Sequence, residues 1–381
     1  MIPLERHTDR GLVGRPGSRA RLTTPALVLD LDALERNVAA MAAYCAAKRV
    51  GLRPHAKTHK STEIARRQVV AGALGIACAT LGEAGAMVEV EIAGVLVTSP
   101  MPGARKIARL IELAARGRDF MVVADDPDNV AELGAAARNS GIVLGVVVDV
   151  EVGSGRTGTI SVDAACALAG RIANTEGLRF AGLQAYNGSV QSTRSFARRA
   201  AELRDLNDTL RATRDRLAAV GLPPPLICGG GTGSHAIDMA DGVFTEIQAG
   251  SYVVLDDIYR KVALRKGKES HPFEVALTVR TTVISATHPG FVTTDAGLKA
   301  FATDSGPPVP LFGAPEGASY RFMGDEHGRI SFAGAEDALP LGAGVECVTP
   351  HCDPTINLYD AYHVVRGDTL VDLWPITRGR W

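Results

Sequence analysis

Residues 143–150, VLGVVVDV, form a short β-branched run that leads directly into the glycine-rich segment EVGSGRTG (151–158). An apolar run without alternation predicts a strand that is buried on both faces. Short apolar runs followed by stretches with helical spacing recur along the chain from Thr23 onward. The predicted strands lie at 26–32, 50–54, 75–79, 94–98, 120–124, 143–150, 179–185, 226–228 and 244–247. Strands that alternate with helices pair in parallel, because each parallel connection needs a crossover.

This alternation predicts an α/β fold in which a (β/α)₈ TIM barrel occupies residues 23–260. Repeated strand–helix units at this spacing are typical of a closed barrel, although periodicity alone leaves an open, doubly wound sheet as the alternative. After Tyr259 the pattern changes, and runs such as HPFEVALTVRTTVISA (271–286) have strand character with no helix after them. They predict a mostly antiparallel β domain over residues 261–381, with residues 1–22 expected to join it.

The composition excludes several classes of function. Lys and Arg total 41 while Asp and Glu total 42, so the net charge of −1 argues against nucleic-acid and membrane-surface partners. The six cysteines include no C-x-x-C pair, so neither a zinc ribbon nor a redox dithiol is expected. No apolar run is long enough for a transmembrane helix, and the first residues lack the apolar core of a secretory signal. We therefore expect a cytoplasmic protein.

The residues that follow the predicted strands are the candidates for chemistry, because active sites of parallel barrels lie at the carboxyl ends of the strands. Lys57, in RPHAKTHK (53–60), is a candidate Schiff-base lysine for a carbonyl substrate or for pyridoxal phosphate. A basic surface loop is the alternative. Arg156 follows strand 143–150 and can neutralise a phenolate or a carboxylate, although a plain glycine turn with a surface arginine would look the same.

Two small-residue segments late in the predicted barrel indicate a phosphate site. GGGTGS (229–234) frees backbone N–H groups to point at an anion, and Thr232 and Ser234 add hydroxyl groups. QAGSY (248–252) follows the last predicted barrel strand. The two segments together predict a binding site for a single phosphomonoester.

The β domain contains TPHCDPTINLYD (349–360), in which His351 and Asp353 are two residues apart. On an extended segment both side chains would point the same way, with Cys352 pointing the other way. One imidazole and one carboxylate predict an open site for a divalent cation such as Mn²⁺ or Mg²⁺. A purely structural His-x-Asp is the alternative.

Taken in order, these segments and QAYNG (184–188) resemble those of the D-threonine aldolase and D-serine dehydratase family of pyridoxal-phosphate enzymes. That family has an alanine-racemase-like barrel followed by a β domain, and the resemblance covers nearly the whole chain, from residue 24 to residue 376. It implies that Lys57 holds the cofactor covalently and that Arg156 and Tyr186 lie beside its ring. The further cofactor contacts that it implies are at Thr80, Thr232, Gly233, Gly250, Ser251 and Tyr259.

The resemblance also implies a reaction, with Lys57, His351, Arg156 and Tyr186 as the catalytic residues. A metal on His351 and Asp353 would contact the β-hydroxyl of the substrate, and Asp353 favours an aldolase because dehydratases of the family tend to carry cysteine there. We expect a metal-dependent lyase that cleaves D-threonine and other D-3-hydroxy amino acids to glycine and an aldehyde. The enzyme would be a homodimer. Its metal would be Mn²⁺ or Mg²⁺, with Zn²⁺ or Co²⁺ as alternatives.

Two other functions stay open, namely a D-serine or 3-hydroxyaspartate dehydratase and a non-catalytic pyridoxal-phosphate-binding protein. The chain also departs from the family at two positions. Many relatives carry glutamine at the position of Thr80, and the aldolases carry histidine, a candidate base, at the position of Ser192. Since a serine is a poor base, we expect the proton to go to metal-bound water, His55 or His59.

Overall fold

The computed structural model describes residues 4–266 and 271–377, which fall into two compact units. The barrel unit comprises Ala39–Gly250 and residues 262–266. The sheet unit comprises residues 4–38, Ser251–Lys261 and His271–Thr377. In the described part of the chain, no helix combines the length and the apolar character that are needed to cross a bilayer.

The strands of the described residues are numbered in chain order. They are β1 (Ala26–Asp30), β2 (Gly51–Leu52), β3 (Ala77–Cys78), β4 (Leu96–Val97), β5 (Met121–Ala124), β6 (Leu144–Asp149), β7 (Leu178–Ala185), β8 (Leu226–Gly229), β9 (Glu246–Ile247), β10 (Leu277–Ser285), β11 (Phe291–Thr294), β12 (Val309–Phe312), β13 (Ser319–Phe322), β14 (Gly328–Ser331), β15 (Gly344–Val348), β16 (Ala361–Arg366) and β17 (Thr369–Pro375).

The α-helices are α1 (Leu31–Lys48), α2 (Thr62–Val70), α3 (Leu81–Glu89), α4 (Ala104–Arg116), α5 (Pro127–Asn139), α6 (Val162–Ala173), α7 (Phe196–Ala219), α8 (His235–Asp241), α9 (Asp257–Arg260) and α10 (Cys352–Ile356). Short 3₁₀ helices occur at Leu4–Arg6, Thr8–Leu12, Ser18–Arg21, Ser251–Val253 and Ala335–Asp337. Side chains of the preferred capping types start many of the barrel helices, because they accept the otherwise unpaired N–H groups of the first turn. These caps are Ser61, Thr80, Asp126, Ser161 and Ser195.

The barrel unit contains eight parallel strands in the order β2-β9-β8-β7-β6-β5-β4-β3. A parallel bridge between His55 and Ala77 joins the two ends of this order and closes the sheet. Each strand is followed by a helical crossover or a rim loop, as the alternation in the sequence predicts. The predicted TIM-barrel class, with a mostly antiparallel β sheet after it, is confirmed.

The sheet unit has the strand order β13-β14-β11-β10-β1-β16-β17, with β15 pairing to both β10 and β12. The expectation that the run at 26–32 is the first barrel strand is wrong. Strand β1 pairs antiparallel with β10 and parallel with β16, in the middle of this second sheet. A strand covered on both faces has the same apolar sequence in either setting, so the run ALVLD could not reveal its sheet.

The N-terminal segment packs against the last strand of the sheet unit. The Gly14 N–H donates to the Leu370 carbonyl oxygen at 2.8 Å, and the Leu370 N–H donates to Ser18 Oγ at 2.7 Å. Leu4, Leu12 and Val13 cover one apolar cluster of this unit. Its buried members are Leu22, Ala26, Val28, Val365, Leu370 and Leu373.

A buried ion pair lies inside the barrel unit. The Arg53 guanidinium donates to both carboxylate oxygens of Glu246 at 2.8 and 2.9 Å, and it also donates to the Gly94 carbonyl oxygen. Arg53 and Glu246 are only 5% and 6% exposed. Loss of one partner would leave an uncompensated charge away from water, which is far more costly than loss of a solvated pair.

We therefore predict that Glu246→Gln lowers the free energy of unfolding by about 3–5 kcal/mol, because Arg53 keeps its charge without a carboxylate. Glu274→Gln is the matched control, since Glu274 also makes a two-bond pair with an arginine, Arg36, but both side chains are more than half exposed. It should cost less than about 1 kcal/mol. Urea denaturation followed by circular dichroism measures both, and equal losses would contradict the buried pair's role.

Candidate active-site residues

Lys57 lies in the loop that follows β2 at the carboxyl end of the barrel strands. Its amine is 5.8 Å from the centre of the Tyr186 ring, and the guanidinium carbon of Arg156 is 5.4 Å from the same ring centre. These three predicted residues follow β2, β7 and β6, so the parallel topology brings them to one rim. A half-buried aromatic ring flanked by an amine and a guanidinium can hold a flat, anionic group.

Two histidines shape the lysine loop. His55 accepts the Lys57 backbone N–H through Nδ1 at 3.3 Å, so its Nε2 carries the proton and donates to Thr98 Oγ1 at 3.1 Å. Burial, with the nearby charges of Lys57, His59 and Arg156, holds the pKa of His55 well below its usual range. His59 is fully buried and accepts the Ser61 N–H at 3.1 Å. Both imidazoles thus serve the loop conformation, which argues against either as the base expected in place of Ser192, itself exposed.

Carboxylates organise the turn that carries Arg156. Glu151 accepts hydrogen bonds from the N–H groups of Gly153 and Gly155 at 2.9 and 2.7 Å. Thr157 Oγ1 donates to Asp149 at 2.7 Å, and burial raises the pKa of that carboxyl. The turn is therefore held from beneath, while Arg156 itself is exposed at the rim.

The glycine segment after β8 is braced by Gln191, a residue that the sequence analysis missed. The Gln191 side chain accepts the Ser234 N–H at 3.2 Å and donates to Ser234 Oγ at 3.0 Å. A Cβ atom at Gly233 would lie 2.0 Å from the Gln191 carbonyl oxygen, so a side chain there cannot fit without displacing backbone. Ser234 is thus engaged within the loop, and the predicted contacts Thr232 and Gly233 sit on a rigid frame.

Gly250 and Thr80 border the same rim. A Cβ atom at Gly250 would lie 2.5 Å from Thr58 Oγ1 and 3.0 Å from the His55 carbonyl oxygen, so glycine lets this segment pack against the lysine loop. Thr80 Oγ1 accepts the Glu83 N–H at 3.2 Å and caps α3. A contact between Thr80 and a cofactor would have to use this same hydroxyl. The buried Glu83 carboxylate completes the cap by accepting the Ala79 N–H at 2.7 Å.

In the sheet unit, His351 and Asp353 lie at the start of α10. The expected extended segment is wrong, because only His351 is extended and Cys352–Ile356 form a helical turn. Cys352 does not point away, since its Sγ donates to Asp353 Oδ1 at 3.3 Å. Burial, followed by the charges of Asp256 and Asp353, raises the pKa of the Cys352 thiol well above its usual range, so it stays a neutral thiol.

Asp304 is a second residue that the sequence analysis missed. Its Oδ2 lies 2.6 Å from His351 Nδ1, and although partial burial acts the other way, this hydrogen bond lowers the pKa of the Asp304 carboxyl. A carboxylate on one ring nitrogen orients the other nitrogen and raises its basicity, as in many metal-binding histidines. The signal in the sequence is weak, because Asp304 stands 47 residues before His351.

Asp256 links the remaining predicted residues of the sheet unit. It is fully buried, and it accepts the Cys352 N–H at 3.0 Å and the Tyr259 N–H at 3.1 Å. Tyr259, predicted as a phosphate contact, and the segment with His351 and Asp353 are therefore held by one carboxylate. Ser251, which opens a 3₁₀ helix, accepts the Leu255 N–H at 2.8 Å through its carbonyl oxygen.

Comparison with known proteins identifies relatives that span nearly the whole chain. Residues 29–257 match the alanine racemase N-terminal domain, and residues 276–365 match a putative serine dehydratase domain. A D-threonine aldolase of Arthrobacter sp is 40% identical over 94% of this chain and 93% of that protein. A 3-hydroxy-D-aspartate aldolase of Paracoccus denitrificans (strain Pd 1222) is 36% identical over 96% and 95%. The crystal structure of D-threonine aldolase from Filomicrobium marinum matches with a TM-score of 0.90 at 38% identity, covering 94% of this chain and 96% of that one.

The D-threonine aldolase and the 3-hydroxy-D-aspartate aldolase are lyases, so the prediction of a lyase is confirmed. The barrel match alone spans more than half of the chain. The chain therefore belongs to the alanine-racemase-like family of D-threonine aldolases and D-serine dehydratases.

Proposed function

We propose that this chain is a metal-dependent pyridoxal-phosphate aldolase that cleaves D-threonine and other D-3-hydroxy amino acids to glycine and an aldehyde. The observation that carries the proposal is the grouping of Lys57 and Arg156 around Tyr186 at the carboxyl end of the barrel strands. An amine, a guanidinium and an aromatic ring are the groups that a pyridoxal ring needs around it. A homodimer, which the family resemblance implies, belongs to the same proposal.

The barrel residues fit pyridoxal phosphate. Lys57 offers the amine that bonds the aldehyde carbon, and Arg156 offers donors for the ring oxygen. Gly233 packs closely against Gln191 and Gly250 against Thr58, so neither position has room for a side chain. The two small-residue segments therefore present backbone groups at these positions. Thr232 would add a hydroxyl contact to the phosphate, and the family resemblance implies further contacts from Ser251 and Tyr259. When bound, pyridoxal phosphate supplies an electron sink for the carbanion that remains on Cα.

The residues at the start of α10 fit a divalent cation. His351 keeps one ring nitrogen for Asp304 and can turn the other to an ion, while Asp353 offers carboxylate oxygens. An imidazole with carboxylates suits Mn²⁺ or Mg²⁺ and also accommodates Zn²⁺ or Co²⁺. An ion there would polarise the β-hydroxyl of the substrate and lower its pKa.

The chain's own residues orient the reactants and carry protons. The neutral His55 holds the Lys57 backbone, so the lysine amine is delivered to one place on the rim. Because His55 and His59 are committed to the loop, neither takes the hydroxyl proton. A water at a cation held by His351 and Asp353 would remain as the acceptor of that proton. The proton that Cα gains would come from Lys57 in its ammonium form, which becomes the neutral amine.

Dehydration is the second candidate, since one domain of the chain matches a putative serine dehydratase domain. Products separate the two reactions. We predict that holoenzyme converts D-threonine to equal amounts of acetaldehyde and glycine, that chelator abolishes this turnover, and that Mn²⁺ restores it. Ammonia with 2-oxobutyrate as the main products would establish the dehydratase instead. Turnover of D-threonine that resists chelator, or turnover of L-threonine equal to that of D-threonine, would overturn the proposal.

We also predict that His351→Ala and Asp353→Ala abolish turnover but keep the bound cofactor and its visible absorption, since the cofactor contacts are assigned elsewhere. Asp304→Asn should raise the Mn²⁺ concentration for half-maximal activity about 10- to 100-fold, the usual cost of an outer-shell partner. His327→Ala, at an exposed histidine of the same unit, is the control and should change neither quantity. Loss of absorption in Asp353→Ala would place this residue in cofactor binding rather than at a metal.

A further inference from the structure

A second group of potential metal ligands lies in the sheet unit, apart from His351 and Asp353 in the sequence. His7 and Asp9 come from the N-terminal segment, and His363 comes from β16. One ligand atom from each residue can be chosen so that all three lie within 4.8 Å of one another. Asp9 and His363 are only 2% and 5% exposed. Nothing in the proposed aldolase reaction uses these residues.

The hydrogen bonds of His363 fix its ring so that Nε2 points at Asp9. Nδ1 lies 3.2 Å from the Leu27 carbonyl oxygen, and because a carbonyl only accepts, Nδ1 carries a proton. Nε2 lies 3.0 Å from Asp9 Oδ2, and since a carboxylate also only accepts, a cation would take the place of the proton that Nε2 now donates to Asp9. An N–H donated to a backbone carbonyl is the usual support of a metal-binding imidazole, since it fixes the ring and directs the other nitrogen at the ion.

The placement of His7 suits a shared ion. The ring centres of His7 and His363 are 5.1 Å apart, with an angle of 73° between the ring planes. Two imidazoles on one tetrahedral ion have ring centres roughly 5 Å apart, because each metal–nitrogen bond is about 2.0–2.1 Å long. The His7 Nδ1 accepts the Asp9 N–H at 3.2 Å, the long end of the normal range, so at His7 an ion would replace a weak hydrogen bond.

Asp9 is held in place before any ion arrives. Its Oδ1 accepts the Thr23 hydroxyl at 2.9 Å, and its Oδ2 accepts the Thr23 N–H at 3.1 Å. A carboxylate that is already ordered loses little further freedom on binding, which favours affinity. Two of the three ligands lie in the N-terminal segment and the third lies in β16, so an ion bound by all three would connect the N-terminal segment to the sheet.

We propose that His7, Asp9 and His363 form a second cation site, which takes Zn²⁺ or a similar borderline ion and clamps the N-terminal segment onto β16. Two imidazoles and one carboxylate are a softer set than the single imidazole with carboxylates at α10, so this site should discriminate against Mg²⁺. The half-exposed His7 leaves a fourth position for water. The proposal is independent of the aldolase assignment.

The test uses the full, untagged chain with cofactor, treated with chelator, in a His351→Ala/Asp353→Ala background that removes the α10 ligands. Titration with Co²⁺ followed by visible absorption, and with Zn²⁺ followed by calorimetry, should each show one bound equivalent. Zn²⁺ should also raise the melting temperature, because it binds the folded state, whereas Mg²⁺ should not. Adding His7→Ala should weaken Zn²⁺ binding by more than about 100-fold, beyond the loss expected for an outer-shell partner.

His327→Ala in the same background is the control for metal binding to an exposed histidine. This variant should still bind one equivalent of Co²⁺ or Zn²⁺. Absence of a bound equivalent in the background protein would overturn the proposal and leave a buried His363–Asp9 ion pair as the link. An equivalent that survives His7→Ala would overturn it as well, because the ion would then lie elsewhere. If His7→Ala does not fold, Asp9→Asn, which keeps the side-chain shape, gives the same two outcomes.

Discussion

Two backbone hydrogen bonds at Ala77 close the barrel, and the position of Lys57 depends on them. The Ala77 N–H donates to the Pro54 carbonyl oxygen at 2.9 Å, and the Ala56 N–H donates to the Ala77 carbonyl oxygen at 2.8 Å. They extend β2 along β3 and end the strand one residue before Lys57. Since every strand of the barrel unit is parallel, the segments after β6, β7 and β8 reach the same rim. Arg156 and Lys57 thereby flank the Tyr186 ring although they are distant in sequence, and the glycine segment reaches the same rim.

Polar side chains hold the candidate residues in both units. In the barrel unit, His55 holds the lysine loop, Glu151 the arginine turn and Gln191 the glycine segment. In the sheet unit, Asp256 holds Tyr259 and Cys352. A buried polar group that loses its partner is costly, so the contacts of His55, Gln191 and Asp256 restrict the conformations of their loops. Loops fixed in this way can present reactive groups without reorganisation during the reaction.

The barrel could be predicted from the sequence, because strand–helix alternation is a local pattern. The candidate residues on rim loops could also be predicted, because those loops directly follow strands. The sequence was insufficient where pairing partners are far apart. The burial of β1 on both faces is the same in either sheet, so only its pairing with β10 and β16 reveals its place. Asp304 and Gln191 gave no local signal, since each acts on a segment more than forty residues away. The helical turn at Cys352–Ile356 did have a local signal, since Pro354 favours a first helical turn.

The central claim is that Lys57 is the residue that bonds the cofactor, and one chemical measurement tests it most directly. Holoenzyme is reduced with borohydride, digested and analysed by peptide mass spectrometry. We predict a phosphopyridoxyl group on Lys57 alone, with none on Lys60, which lies in the same loop and donates to the Lys57 carbonyl oxygen at 3.0 Å. A label on Lys60 or on any lysine outside this loop, in protein that retains its absorption, would contradict the account.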